Sequence, residues 1–194
     1  MQKRTSYIVT DIEADGPDPG INSMLSIASV AKSETGDDQG EFSINIFPLK
    51  EGVQDPATML WWMEQPTAWA DATNDPQPPG IAIGSWAKWV RSLPGTPVFV
   101  AHPLSFDGPW VDWYLQRFLE VRLFDRAGQP GFTRGAGIDI PSLVMAQKGW
   151  DYYHCSRNHY PDEWLGGHAH NHCAIDDARG YAHLLALIVK NEII

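Results

Sequence analysis

The chain predicts an α/β fold, a mixed sheet covered by helices. Three observations lead there. Strand-like apolar runs crowd the first fifty residues. Beyond them, segments with helical spacing alternate with short apolar runs. At 194 residues, with 43% hydrophobic and 20% charged residues, the chain has the size and composition of one domain with a substantial core. Strands first, followed by helices and strands in alternation, is the order of a sheet packed on by helices.

Tyr7 to Ile12 reads as a buried strand, Ser23 to Ala31 as a second, and Phe42, Ile44 and Ile46 alternate with polar residues in a third. The polar stretch "KSETGDDQG" between the second and third is a hairpin connection, so the three form an antiparallel meander. "DPATMLWWMEQPTAWADAT" has helical spacing, with Pro56 placed for a helix start and Pro66 for a break or kink. After the loop "NDPQPPG", Ile81 to Leu93 is a helix and "TPVFVAH" a short buried strand. "FDGPWVDWYLQRFLE" is a helix, "VRLFD" a candidate strand, and "RAGQPGFTRGAG" a loop. "IDIPSLVMAQKG" is a strand end running into a helix. Residues 150 to 171 are irregular, and Ala174 to Lys190 is the last helix.

Composition excludes several classes. A net charge of −10 is the wrong sign for a generic nucleic-acid or membrane coat. It leaves room for a nucleic-acid enzyme whose local acids bind cations. Two cysteines, Cys155 and Cys173, are too few for a disulfide framework, so a reduced, cytoplasmic setting is expected. The basic start "MQKRTSYIVT" lacks the apolar core of a signal peptide, and no run is long enough to cross a membrane.

The chemistry lies in the acids. Asp11 and Glu13 are two apart on the first strand and emerge on one face. Two adjacent carboxylates repel, and a hard divalent cation relieves that. The same pair could instead sit in a turn punctuated by Asp15-Gly16-Pro17. Asp107 heads a helical stripe of Val111, Tyr114 and Phe118, so it faces the core, while Asp112 aligns with Gln116 in a wetter position. The alternative for Asp107 is a first-turn acid favoured by the helix dipole. Asp177 shares its stripe with Tyr181, Leu184 and Ile188 and points inward, whereas Asp176 points to water. His172 stands five residues before Asp177, about 140° round a helix, so it belongs on the loop that feeds the helix. Four converging carboxylates would hold two metal ions, which can clamp the attacking and leaving oxygens of a phosphoryl transfer.

These residues resemble the DEDDh 3′–5′ exonucleases of the ribonuclease-H-like fold, a group that includes proofreading subunits, ribonuclease T and oligoribonuclease. "DIEADG" looks like the motif D-x-E, "HPLSFD" like the Phe-Asp pair at a helix start, and "HCAIDDA" like H-x-A-x-x-D-A. A small bacterial exoribonuclease-like branch is also similar, through "LWWMEQP" and "HNHCAIDDA". The resemblance implies a five-stranded sheet with helices on both faces and a single exonuclease domain over residues 1–194. It implies Asp11, Glu13 and Asp177 around one Mg²⁺ or Mn²⁺ ion, and Asp11 with Asp107 around a second. It makes His172 the general base, in keeping with an imidazole near neutral pH. It places Ala14, Asp15, Gly16, His102, Phe106 and Trp62 near the substrate. The implied partner is a single-stranded 3′ end, RNA or a short oligonucleotide ahead of DNA, and the implied assembly a homodimer. Ala14 stands where many members have Thr, and Pro103 where many have Asn, so substrate preference departs from the pattern.

Competing readings attach to the other features. Trp61, Trp62, Trp69, Trp110 and Trp164 could stack bases or pack the core. Trp61 and Trp62 point about 100° apart, so at most one is well buried. His154, Cys155, His159, His168, His170, His172 and Cys173 could form a structural zinc site, though their spacing matches no zinc signature; a His-rich loop beside the site is the alternative. Arg157 or His159 could touch a phosphate. Basic residues are sparse, which suits a short single-stranded end better than a long duplex. The rival functions are a catalytically silent nucleic-acid-binding module on the same fold, and a zinc-stabilised interaction protein.

Overall fold

The structure, a computed structural model, describes residues 4–193. A five-stranded sheet runs in the order β3-β2-β1-β4-β5. Its strands are β1 (Thr5–Ala14), β2 (Met24–Ser33), β3 (Asp38–Asn45), β4 (Thr96–Ala101) and β5 (Ile138–Asp139). The first three are antiparallel, as the meander predicts; β4 runs parallel to β1, and β5 parallel to β4. The helices are α1 (Pro56–Met63), α2 (Pro66–Ala72), α3 (Pro79–Ser92), α4 (Leu104–Leu119), α5 (Ile140–Lys148) and α6 (Ala174–Lys190).

Alternation on β1 divides the core. Ile8 and Ile12 face one layer, filled by Trp86 and Val90 of α3 and Trp110, Val111 and Tyr114 of α4. Val9 faces the other, filled by Ile140 and Val144 of α5 and by Ala178, Leu184 and Leu185 of α6. Helices therefore cover both faces. Asp11 and Glu13 continue the Val9 row, at the end of the central strand.

Prolines set helix starts. Pro56, Pro66, Pro79 and Pro141 each sit in a first turn, where a missing N–H costs nothing. Pro66 thus opens α2 and divides the predicted helix in two. Asp55 caps α1 by accepting the Thr58 amide at 2.7 Å.

The predicted strand "VRLFD" is not one. The place beside β4 is taken by Ile138–Asp139. The Leu123 amide instead donates to the Asp112 carboxylate at 2.7 Å, and the Arg122 and Leu123 carbonyls accept the amides of Phe132 and Thr133. Asp112 also pairs with Arg122, so it is a loop anchor rather than a solvated acid. Residues 150 to 171 form three short 3₁₀ turns, Tyr152–His154, Arg157–His159 and Asp162–Leu165. Among the described residues, no helix is long and apolar enough to cross a membrane.

Candidate active site

The backbone at the end of β1 brings three separate segments together. The β1–β2 register slips between Glu13 and Ala14, so the strand bends immediately after its second acid. On α4, Asp107 Oδ1 accepts the Ile12 amide at 3.1 Å. Two further bonds hold that helix: the Leu104 amide donates to Asp139 Oδ1 at 2.9 Å, and the Tyr114 hydroxyl accepts the Met24 amide at 2.8 Å. Asp177 arrives on the first turn of α6. One ligand oxygen from each of Asp11, Glu13 and Asp177 lies within 4.8 Å of the other two.

These carboxylates are a poor arrangement without a cation. Glu13, Asp107 and Asp177 are buried and Asp11 is half-buried. Burial, and then repulsion from Asp107, Glu13 and Asp177, holds Asp11 well above the usual carboxylate range. Glu13 is raised by burial and by Asp177, Asp107 and Asp71. Burial pushes Asp107 up to about 7, against the pull of the Ile12 amide. Asp177 Oδ1 is buried and has no hydrogen-bond partner among the described residues. An orphaned carboxylate oxygen among mutually repelling acids suits hard, oxygen-preferring divalent ions. Asp11, Glu13 and Asp177 therefore fit one implied ion, while Asp107 joins neither group of converging ligand atoms among the described residues.

His172 lies on the loop before α6, as its spacing requires, in a left-handed backbone conformation (φ 59°). Its ring meets Trp61 edge-on at 4.7 Å and His170 at 4.4 Å. Burial first, then the neighbouring His170, lowers its pKa, with Asp177 pulling the other way. A neutral imidazole is thus available near neutral pH. Asn171 and Asp176 fix this loop. Asn171 Nδ2 donates to Asp176 Oδ2 at 2.9 Å and its Oδ1 accepts the Cys173 amide at 3.1 Å. Arg179 then bridges Asp176 to Glu41 of β3.

The residues predicted to touch substrate divide sharply. Phe106 is 40% exposed beside the acids and can meet a base. His102 lies flat on Tyr181 at 4.4 Å, with Nε2 3.1 Å from the Tyr160 hydroxyl, and burial pushes it down to about 4. Trp62 is a correction: it is 2% exposed, and its indole N–H donates to the Ala14 carbonyl at 2.9 Å. It offers no face for stacking and supports the bend instead. Asp15 is likewise buried, accepting the Ser23 amide at 2.5 Å, and a side chain at Gly16 would collide with Asn22. Ala14, Asp15 and Gly16 shape the turn from within. Trp110 and Trp164 are core residues, while Trp61 and Trp69 are half-buried.

The seven His and Cys residues that could have formed a structural zinc site do not come together as one group among the described residues. His154 and His159 share a separate concavity with Trp150 and Asp151. Cys155 and Cys173 join neither group of metal-capable ligands found among the described residues. Arg157 shares a concavity with His168 and His170 on the rim of the site. Two neighbours of the acids stand out, Asp71, which the sequence did not single out, and His170 of the His-rich loop. Asp71 of α2 acts on Glu13, and His170 Nδ1 lies 2.9 Å from Asp177 Oδ2. The signal for His170 was its place two residues before His172.

No protein-family model matches the chain. It is 27% identical over 188 residues to the 3′–5′ DNA exonuclease Cap18 of Escherichia coli, covering 95% of this chain and 91% of that protein. Its fold is similar to the nuclease domain of 3′hExo, described as a DEDDh family member bound to rAMP. The TM-score is 0.67 at 10% identity, over 97% of this chain and 92% of that one. It is also similar to exonuclease I of Methylocaldum szegediense, with a TM-score of 0.63 at 17% identity. That match covers 97% of this chain and 41% of that one. The sequence motifs and these likenesses point the same way, and the sheet is like that of the DEDDh exonuclease it is compared with.

Proposed function

We propose that this chain is a metal-dependent 3′–5′ exonuclease acting on single-stranded ends, releasing nucleoside 5′-monophosphates. The observation that carries the reading is the convergence of Asp11, Glu13 and Asp177, with Asp107 hydrogen-bonded to the same strand end. Asp11, Glu13 and Asp177 would hold one divalent ion, and Asp11 with Asp107 a second. Such a pair offsets charge on the phosphate oxygens and steadies both the attacking and the leaving oxygen.

The chain's own residues do the rest. His172, kept neutral by burial, takes the proton of the attacking water. Water adds to phosphorus as the bond to the upstream O3′ breaks, so the terminal nucleotide leaves with a 5′-phosphate. Phe106 receives the terminal base. The buried Trp62–Ala14 bond holds the backbone at the bend, next to Glu13.

DNA is the first substrate to test, because the relative aligned along most of the chain is named a DNA exonuclease. This moves the emphasis away from the RNA expected from motif likeness. RNA is kept as a second reading by the rAMP-bound neighbour. Purified protein, an end-labelled oligonucleotide and Mn²⁺ or Mg²⁺ provide the test. Stepwise shortening from the 3′ end, stopped by chelation, is expected for DNA and RNA in differing degree. Retained binding with no shortening would leave the silent nucleic-acid module as the better reading.

A further inference from the structure

His170, His172 and Asp177 form a second group of ligand atoms that lie within 4.8 Å of one another. Its donors differ in kind from the all-oxygen set. Two are imidazole nitrogens and one is a carboxylate oxygen, a combination that hard Mg²⁺ disfavours and zinc accepts. Tetrahedral zinc with bonds near 2.0–2.1 Å separates its ligand atoms by about 3.4 Å. His170 Nδ1 and Asp177 Oδ2 are already 2.9 Å apart, so small side-chain movements complete the geometry.

The segment carrying both histidines is held in place. Asn171, between them, is tied to Asp176 and to the Cys173 amide. Trp61 walls His172 on one side. The His170 side chain is 31% exposed, which gives an ion a route in and leaves a fourth position for water. Asp177 is common to both groups, and its Oδ1 has no partner among the described residues.

We propose that His170, His172 and Asp177 are an exchangeable zinc site, and that filling it silences hydrolysis. The silencing follows from what zinc would engage. It takes the His172 lone pair needed to accept the water proton, and it draws Asp177 away from Asp11 and Glu13. This zinc is regulatory and removable, unlike a structural ion in a Cys-containing cage. Binding stands on the three ligands alone, whereas silencing rests on the exonuclease reading.

The two halves are measured separately on the full chain. Chelated protein is titrated with Co²⁺, whose visible absorption reports four-coordinate nitrogen and oxygen ligation, and Zn²⁺ is used to displace it. One strongly absorbing, four-coordinate Co²⁺ per chain is expected, distinct from weakly absorbing Co²⁺ on the all-oxygen set, with affinity about tenfold weaker or worse in His170→Ala. In Mg²⁺ assays with rising free Zn²⁺, His170→Ala should need about tenfold more Zn²⁺ for half-inhibition, each protein being referred to its own zinc-free rate. His170→Asn should behave alike. Equal Co²⁺ affinity in wild type and both variants, or equal zinc sensitivity, overturns the site. Should the wild type show no hydrolysis under Mg²⁺ or Mn²⁺, the exonuclease reading fails, and the Co²⁺ spectrum alone still decides the site.

Discussion

Asp107 Oδ1 and the amide of Ile12 are joined by a buried 3.1 Å hydrogen bond. That bond fastens α4 to the central strand beside Asp11, so a helix and a strand 95 residues apart in sequence meet at one charged point. It also leaves Asp107 buried among other acids. The arrangement costs stability until a cation arrives, and this trade is open to measurement.

In chelator, the wild type should lose stability as pH rises. Asp107 titrates at about 7 in the folded chain against an ordinary 3.8, so between those values the folded state holds the extra proton. Its contribution is full below 3.8 and lost as pH passes 7, on the order of a few kcal/mol. His102 acts oppositely: titrating at about 4 rather than 6.5, it favours the fold above 6.5 and loses that as pH falls through 4. The difference between wild type and Asp107→Asn cancels His102. Thermal melts of both from pH 5 to 8 should show Asp107→Asn gaining on the wild type as pH rises, with Mg²⁺ restoring the wild type. Parallel melts across that range would contradict the repulsion account.

His172→Ala should lower kcat by about 10²–10⁴-fold with little change in melting temperature. Wild-type activity should fall on acidification, with its midpoint below 6.5 because burial lowers the imidazole pKa. In the variant that acidic limb should vanish. A pH–rate profile of both proteins checks this; an unchanged limb assigns the proton transfer elsewhere.

Trp62→Phe keeps a ring but removes the donor to the Ala14 carbonyl, so it should cost about 1 kcal/mol in denaturant melts. Trp62→Ala should cost about 3–5 kcal/mol as a core truncation. If Trp62 stacked on a base, Trp62→Ala would instead raise KM without loss of stability.

Arg91, Arg122 and Arg126 line one concavity of about 530 Å³ beyond the C-terminal half of α4, together with Glu120, and Arg122 is already paired with Asp112. A strand reaching it would place backbone phosphates there. Arg126→Glu should therefore raise KM for long oligonucleotides and weaken its salt dependence, leaving dinucleotide hydrolysis unchanged. Equal effects on both lengths would place the concavity off the strand's path.

Much of this was legible in the sequence because it depends on period and order. The two-residue spacing of Asp11 and Glu13, the inward stripe below Asp107 and the split between Asp176 and Asp177 all follow from local geometry. The first two appear in the fold as read; Asp177 is buried as read, but Asp176 is half-buried and tied to Asn171 and Arg179. What escaped depends on distant partners. "VRLFD" has strand composition, but Asp112 and the 132–133 turn claim its backbone groups. Trp62 is identical in type to Trp61, and only the approach of the Ala14 carbonyl distinguishes the buried one. His170 became visible as a neighbour of Asp177 only through the turn at His172.

The most direct test counts ions. Chelated protein titrated calorimetrically with Mn²⁺, in the presence of a nucleoside 5′-monophosphate, should take up two per chain, and Asp11→Asn should abolish both that uptake and 3′-end hydrolysis while its melt stays cooperative. Wild-type uptake of none, or an Asp11→Asn protein that binds Mn²⁺ and hydrolyses at the wild-type rate, would contradict the account.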